Sequence, residues 1–179
     1  MNAKTMQTAL RELDAILDGA VRLVIGGGGA MVLAYDHPLG TFDIDAFPAK
    51  GSLSLSEIDG AARRVAATLQ IPSDWLNFHF STFAHVLPPD YGERLVRVFC
   101  GVHLSVDALG PEDLMIMKCF SARDKDRPHA VRLLGLLHRQ RRLLEIGSAF
   151  GPAERLRGDL GELGRVPSDR GLDRGLRGR

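Results

Sequence analysis

The sequence predicts an α+β domain: a small mixed sheet flanked by helices, followed by a C-terminal helical segment. Three observations predict it. Short β-branched runs are interleaved with stretches of helical periodicity. A run of four glycines joins the first of those strands to a helix, and the last third of the domain carries leucines at helical spacing. A chain of 179 residues, 45% hydrophobic, can bury one good core with a small helical extension.

Taken in order, Leu10, Leu13, Ile16 and Leu17 share one helical face, predicting an amphipathic helix that ends at Gly19. Val21 to Ile25 (VRLVI) is short and β-branched, a buried strand. After the glycines, AMVLAY resumes helix formers until DHPLG, where Pro38 cannot donate and drives His37 out of helical backbone. Thr41 to Phe47 (TFDIDAF) alternates, with Thr41, Asp43 and Asp45 on one face and Phe42, Ile44 and Ala46 on the other. SLSEIDGAARRVAATLQ predicts a helix capped by Ser54 or Ser56. ERLVRVF and HLSVDAL predict two more strands. GPEDLMIMKCFSA opens a helix with Pro111 and two acids, and HAVRLLGLLHRQRRLLEIG predicts the last one. The domain therefore spans residues 1–150, its helical end beginning near residue 111. From Gly151 to Arg179, seven glycines and seven arginines surround isolated leucines, which predicts a disordered tail.

Composition narrows the function classes. A formal net charge of +1 supplies no global field toward nucleic acid or an acidic membrane. Cys100 and Cys119 make neither a zinc spacing nor a disulfide framework, as expected in a reducing cytoplasm. No apolar run approaches the roughly 20 residues that cross a bilayer, so no membrane partner is expected.

Gly26 to Gly29 and the paired aspartates carry the chemistry. Consecutive glycines before a helix allow positive φ and bring bare amides to a ligand, making an anion site; tight strand-to-helix packing would use them equally well. The dinucleotide pattern G-x-G-x-x-G and the Walker lysine are both missing. Asp43 and Asp45 lie two apart on an alternating strand, about 7 Å along the chain, where like charges are unfavourable unless a cation sits between them. Mg²⁺ suits such a pair, because it takes one or two carboxylates together with water and substrate phosphate oxygens. Acid–base work or a solvated strand edge are the alternatives.

This glycine turn, a short helix and then T-x-D-x-D resemble the DNA polymerase β-like nucleotidyltransferase superfamily. LPPDYGERLVRV followed by GPEDLMIMKCFSARDKDRPHAVRLL is similar to the bacterial nucleotidyltransferase-like family that groups with AbiEii-type toxins and related domains of unknown function. The likeness covers roughly Val21 to Leu137. It implies the nucleotidyltransferase fold and Mg²⁺ as cofactor. Gly26, Gly27 and Gly28 would contact nucleotide phosphate, with Gly29 as a fourth, and Thr41 would close the loop. Asp43 and Asp45 would be catalytic metal ligands, with Asp107 as the candidate third carboxylate. Lys118 would reach the phosphates or the active-site carboxylates, and Asp126 would act near it. Three positions depart from the family pattern: the turn has no serine, Leu39-Gly40 replaces a basic residue before the threonine, and His129 stands where the second motif ends in aspartate.

The expected activity is Mg²⁺-dependent transfer of a nucleoside monophosphate from an NTP to an RNA (such as a tRNA end), protein or small-molecule acceptor. The resemblance implies that the protein is the toxin of a toxin–antitoxin pair, with a cognate antitoxin as partner. The alternative is a catalytically degenerate binding module of the same fold.

Overall fold

The computed structural model describes residues 1–150 except 39, 50, 51 and 122–125. The Gly/Arg-rich stretch 151–179 lies outside the described residues. Two compact units divide the chain, Met1–His138 and Arg139–Arg179. The first holds the sheet.

Helix α1 (Ala3–Ile16) starts at Asn2, whose side chain accepts the Thr5 amide, and buries Met6, Ala9, Leu10 and Leu13. Leu17 is buried as expected, but in extended backbone past the helix, whereas Ile16 faces solvent at 39% exposure. Strand β1 (Val21–Ile25) is the middle strand of the sheet. Helix α2 (Gly27–Ala34) begins inside the glycine run rather than after it, because Gly26 is already its N-cap and accepts from Ala30 N at 3.0 Å.

Strand β2 is Ile44–Pro48, β3 is Leu76–Asn77, β4 is Val96–Cys100 and β5 is Leu104–Ala108. The sheet order is β3-β2-β1-β5-β4. It is mixed: β1 runs antiparallel to β2 and parallel to β5, β2 parallel to β3, and β4 antiparallel to β5. The expected strand Thr41–Phe47 is corrected at its start. Thr41 to Asp43 precede β2, and Phe42 stands 87% exposed instead of facing inward with Ile44 and Ala46. The reason is pairing: β3 meets β2 only from Ile44 onward, while the Thr41 amide is taken by the Met1 carbonyl.

Helix α3 (Leu55–Leu69) has Ser54 as its cap, in a reciprocal capping box with Glu57. Trp75, fully buried, donates from its indole to Ala62 O at 2.9 Å and ties α3 to the β3 edge. Short 3-10 segments, His79–Val86 and Tyr91–Arg94, lead into β4. Helix α4 (Pro111–Ser121) starts at Pro111, and Asp113 in its first turn is fully buried against Arg94, which donates to both carboxylate oxygens. Helix α5 (Arg127–Phe150) closes the described chain.

One continuous core joins α1, α2 and α3 to the inward positions of β1, β2 and β5, with Leu23, Ile25, Ile44, Ala46, Val106 and Ala108 fully buried. Among the described residues no helix is long and apolar enough to cross a membrane.

Candidate functional site

Each glycine of the run lies against a different neighbour. A Cβ at Gly26 would enter the Phe80 ring, one at Gly27 would collide with the Asp45 carboxylate, and one at Gly28 would come within 2.6 Å of Thr41 Oγ1. At Gly29 the Ile44 backbone stands 3.2 Å away. Only Gly27 has positive φ, +57°, a conformation that glycine alone adopts cheaply. The run thus lets α2 pack down on β2 and leaves the Asp45 carboxylate against bare backbone at the start of a helix, where the peptide dipoles favour negative charge.

Asp45 and Gly27 open onto a cleft of about 330 Å³, whose other walls are His79, Phe80, Met117, Lys118, Phe120 and Ser121. Phe80 is braced from behind by Phe47, their rings stacked with centroids 5.4 Å apart. Phe120 is 55% exposed and meets His85 edge-on at 6.2 Å. A hollow of similar size lies beside Arg22, Ser52 and His103, near the opposite end of β1, and holds none of the residues singled out from sequence. Chemistry selects the first cleft, which combines a carboxylate, a lysine and a glycine helix start.

Asp43 sits just before β2, on the Asp45 side of the strand. Its Oδ2 accepts from Asn77 Nδ2 at 2.8 Å, and Thr41 Oγ1 approaches Oδ1 at 3.4 Å. The Asp45 side chain has no hydrogen bond or ion pair among the described residues. Two half-buried carboxylates on one side of a strand, one of them unpartnered, suit a hard cation such as Mg²⁺.

Lys118 is buried and donates to Asp126 Oδ1 at 2.6 Å, while Ser121 Oγ donates to Oδ2 at 3.0 Å. His129 Nδ1 lies 3.5 Å from the same Oδ1, and its ring meets that of His37 edge-on at 4.6 Å. Both His37 nitrogens are buried without a partner among the described residues. Burial, reinforced by Arg132 and Lys118, holds His37 below the ordinary histidine range. Burial and then the Lys118 and His37 charges do the same to His129, against an opposing pull from Asp126. Asp126 and His129 therefore form a buried cluster behind the cleft wall, not part of its lining.

Asp107 is almost fully buried on β5, and its oxygens take the Nε–H groups of Arg22 (2.9 Å) and Arg97. Register pairs it with Val24, on the sheet face that Asp45 also shares. Among the described residues no three histidine, cysteine, aspartate or glutamate side chains converge as a metal cluster, so Asp107 stands apart from the Asp43–Asp45 pair.

The cleft thus unites Gly27, Asp45 and Lys118. Gly26 lies against Phe80, one of its walls, Gly28 lies against Thr41, and Asp107 is on the sheet face that carries Asp45. Sequence reasoning missed Asn77, which belongs to a strand of two residues with no periodicity to announce it. It also missed the rings of Phe80 and Phe120, which belong to none of the motifs quoted.

A family model described as "Nucleotidyltransferase of unknown function (DUF6036)" matches residues 4–132. No curated protein and no solved structure matches the chain at a significant level.

Proposed function

We propose, from the premise that the chain belongs to this nucleotidyltransferase family, that it transfers a nucleoside monophosphate from an NTP to an acceptor hydroxyl. The observation that carries the reading is the meeting of Asp45, Gly27 and Lys118 in one cleft, with Asp43 beside Asp45. In the transfer the acceptor hydroxyl gives up its proton to solvent and its oxygen bonds to the α-phosphorus, the bond from that phosphorus to the bridging oxygen breaks, and pyrophosphate leaves with the electron pair. Asp43 and Asp45 would hold Mg²⁺, which supplies charge neutralisation on the phosphates and a lower pKa for the attacking hydroxyl. Bare backbone at Gly27 and the start of α2 would receive phosphate oxygens. The aromatic walls exclude water and offer flat surfaces to a base. Lys118 reaches the cleft with its ammonium committed to Asp126, so its aid to a phosphate would require that pair to open.

The acceptor class, whether a tRNA end, a protein or a small molecule, and the setting of a toxin with its antitoxin rest on the resemblance of the sequence motifs alone.

Titration of the protein with each of the four NTPs in Mg²⁺, by calorimetry, tests the reading. Binding that disappears in Asp43→Asn with Asp45→Asn supports it. No binding at millimolar nucleotide sinks it, and nucleotide binding that survives the double substitution puts the metal elsewhere.

A second reading has its own support: a catalytically silent binding module of the same fold. Asp107 is held by two arginines, Lys118 by Asp126, and no third carboxylate joins the aspartate pair among the described residues. This reading expects no nucleotide signal at all.

A further inference from the structure

We infer that the hollow at the start of β1 and β5 is a second anion site, one that takes the phosphate of a small phosphomonoester, with Arg22 as its clamp. The site is separate from the Asp45 cleft and does not depend on the metal reading. Register sets Arg22 beside Ser105 on parallel neighbouring strands, so both side chains rise from one sheet face about 5 Å apart. Both residues line the hollow, together with Ser52 and His103, around a space of about 340 Å³.

Its chemistry suits phosphate. The Arg22 Nε–H is spent on Asp107 Oδ2 at 2.9 Å, which orients the guanidinium and leaves its two Nη groups without a partner among the described residues. A guanidinium held in this way offers a fork of N–H donors that matches two oxygens of one phosphate. The charge balance is positive. Arg97 donates to the other oxygen of the same carboxylate, so two guanidinium groups share one aspartate and a net charge of +1 remains. None of the residues lining the hollow is acidic. Asp14 reaches the same turn but is not part of the lining, and its carboxylate accepts the amides of Val102, His103 and Leu104. Ser105 Oγ, half-buried and with no hydrogen bond among the described residues, supplies a neutral donor beside the arginine. A volume of about 340 Å³ exceeds what a bare phosphate fills and falls in the range of small-molecule pockets, which points to an organic phosphate rather than the ion alone.

The test titrates ribose 5-phosphate, ribose and inorganic phosphate separately into the full chain by calorimetry, at low ionic strength and without divalent metal. Ribose 5-phosphate is expected to bind, inorganic phosphate to bind more weakly, and ribose not to bind. Arg22→Gln removes the clamp's charge while Asp107 keeps Arg97, and is expected to weaken ribose 5-phosphate by about ten- to a hundredfold. Ser105→Ala touches no ion pair and is expected to weaken it about two- to tenfold; it decides the matter if the arginine variant fails to fold. Asp43→Asn with Asp45→Asn is expected to leave this binding unchanged. No binding of ribose 5-phosphate at millimolar concentration overturns the site, and so does wild-type affinity in the folded variants of Arg22 and Ser105. Binding that is lost in the aspartate double variant belongs to the cleft and overturns it as well. Inorganic phosphate bound as tightly as the ester shows an adventitious ion only, and overturns the assignment to an organic phosphate.

Discussion

The Lys118 ammonium lies 2.6 Å from Asp126 Oδ1, and both side chains are only 5% exposed. A pair this well buried stabilises little relative to an apolar substitute of the same shape, yet either half alone is costly. Lys118→Ala is therefore expected to destabilise the fold by about 3–5 kcal/mol, because it breaks a buried ion pair by removing one half of it. Lys118→Met combined with Asp126→Asn should recover most of that loss in denaturant unfolding. Only the double variant gives a fair assay of what Lys118 does in the cleft. Equal loss in the single and double variants would show that the pair is not coupled.

The buried histidines set an acid limit. Both His37 and His129 are held below their ordinary range, so the native state favours their neutral forms more than the unfolded chain does. The sign follows from linkage: this stabilisation is complete above the unfolded histidine pKa of about 6.5 and is lost as pH falls below it. The melting temperature is expected to drop between about pH 6.5 and 5, before most carboxylates titrate. His37→Leu should flatten that drop. An unchanged slope would place the acid sensitivity elsewhere.

Two glycine substitutions should move stability in opposite directions. At Gly27 a methyl meets the Asp45 carboxylate and a φ of +57°, so Gly27→Ala is expected to destabilise by at least about 1 kcal/mol. At Gly60, in the body of α3, a Cβ has nothing within 4 Å, and Gly60→Ala is expected to stabilise by about 0.5–1 kcal/mol. Urea unfolding of the two variants reads the contrast directly. A neutral Gly27→Ala would show that the turn tolerates a side chain and that its tightness is not what the four glycines serve.

Asp107→Asn distinguishes a carboxylate serving its arginines from one serving a metal. With Arg22 and Arg97 both on its oxygens, the expected outcome is a lower melting temperature with Mn²⁺ binding retained. Loss of Mn²⁺ binding without loss of stability would make Asp107 the third metal carboxylate.

The legible part of this protein was the part written in local patterns. The β-branched run of β1, the Ser54 cap with Glu57 three residues on, and the Pro111 start of α4 each follow from propensity and orphaned backbone groups, which neighbours in sequence decide. Asp43 and Asp45 were also readable as a pair on one side, because alternation needs no partner strand to be seen. Asn77 was not readable: two residues of strand have no period, and its meaning comes only from the strand beside it.

Local patterns by themselves determined the α+β class, most helices and four of the five strands, whereas the candidate site residues were singled out by the resemblance of the motifs. Tertiary structure alone decided how those residues are used. It started α2 at Gly27, because the glycines must clear Phe80, Asp45, Thr41 and Ile44. It turned Phe42 outward because β2 has no partner there, and it bound Asp107 to two arginines and Lys118 to Asp126. The physical reason is that a charge or a glycine carries no instruction about its partner. Which groups lie within hydrogen-bond reach is set by strand register and helix packing, which join Asn77 to Asp43 across 34 positions of the chain and Arg22 to Asp107 across 85.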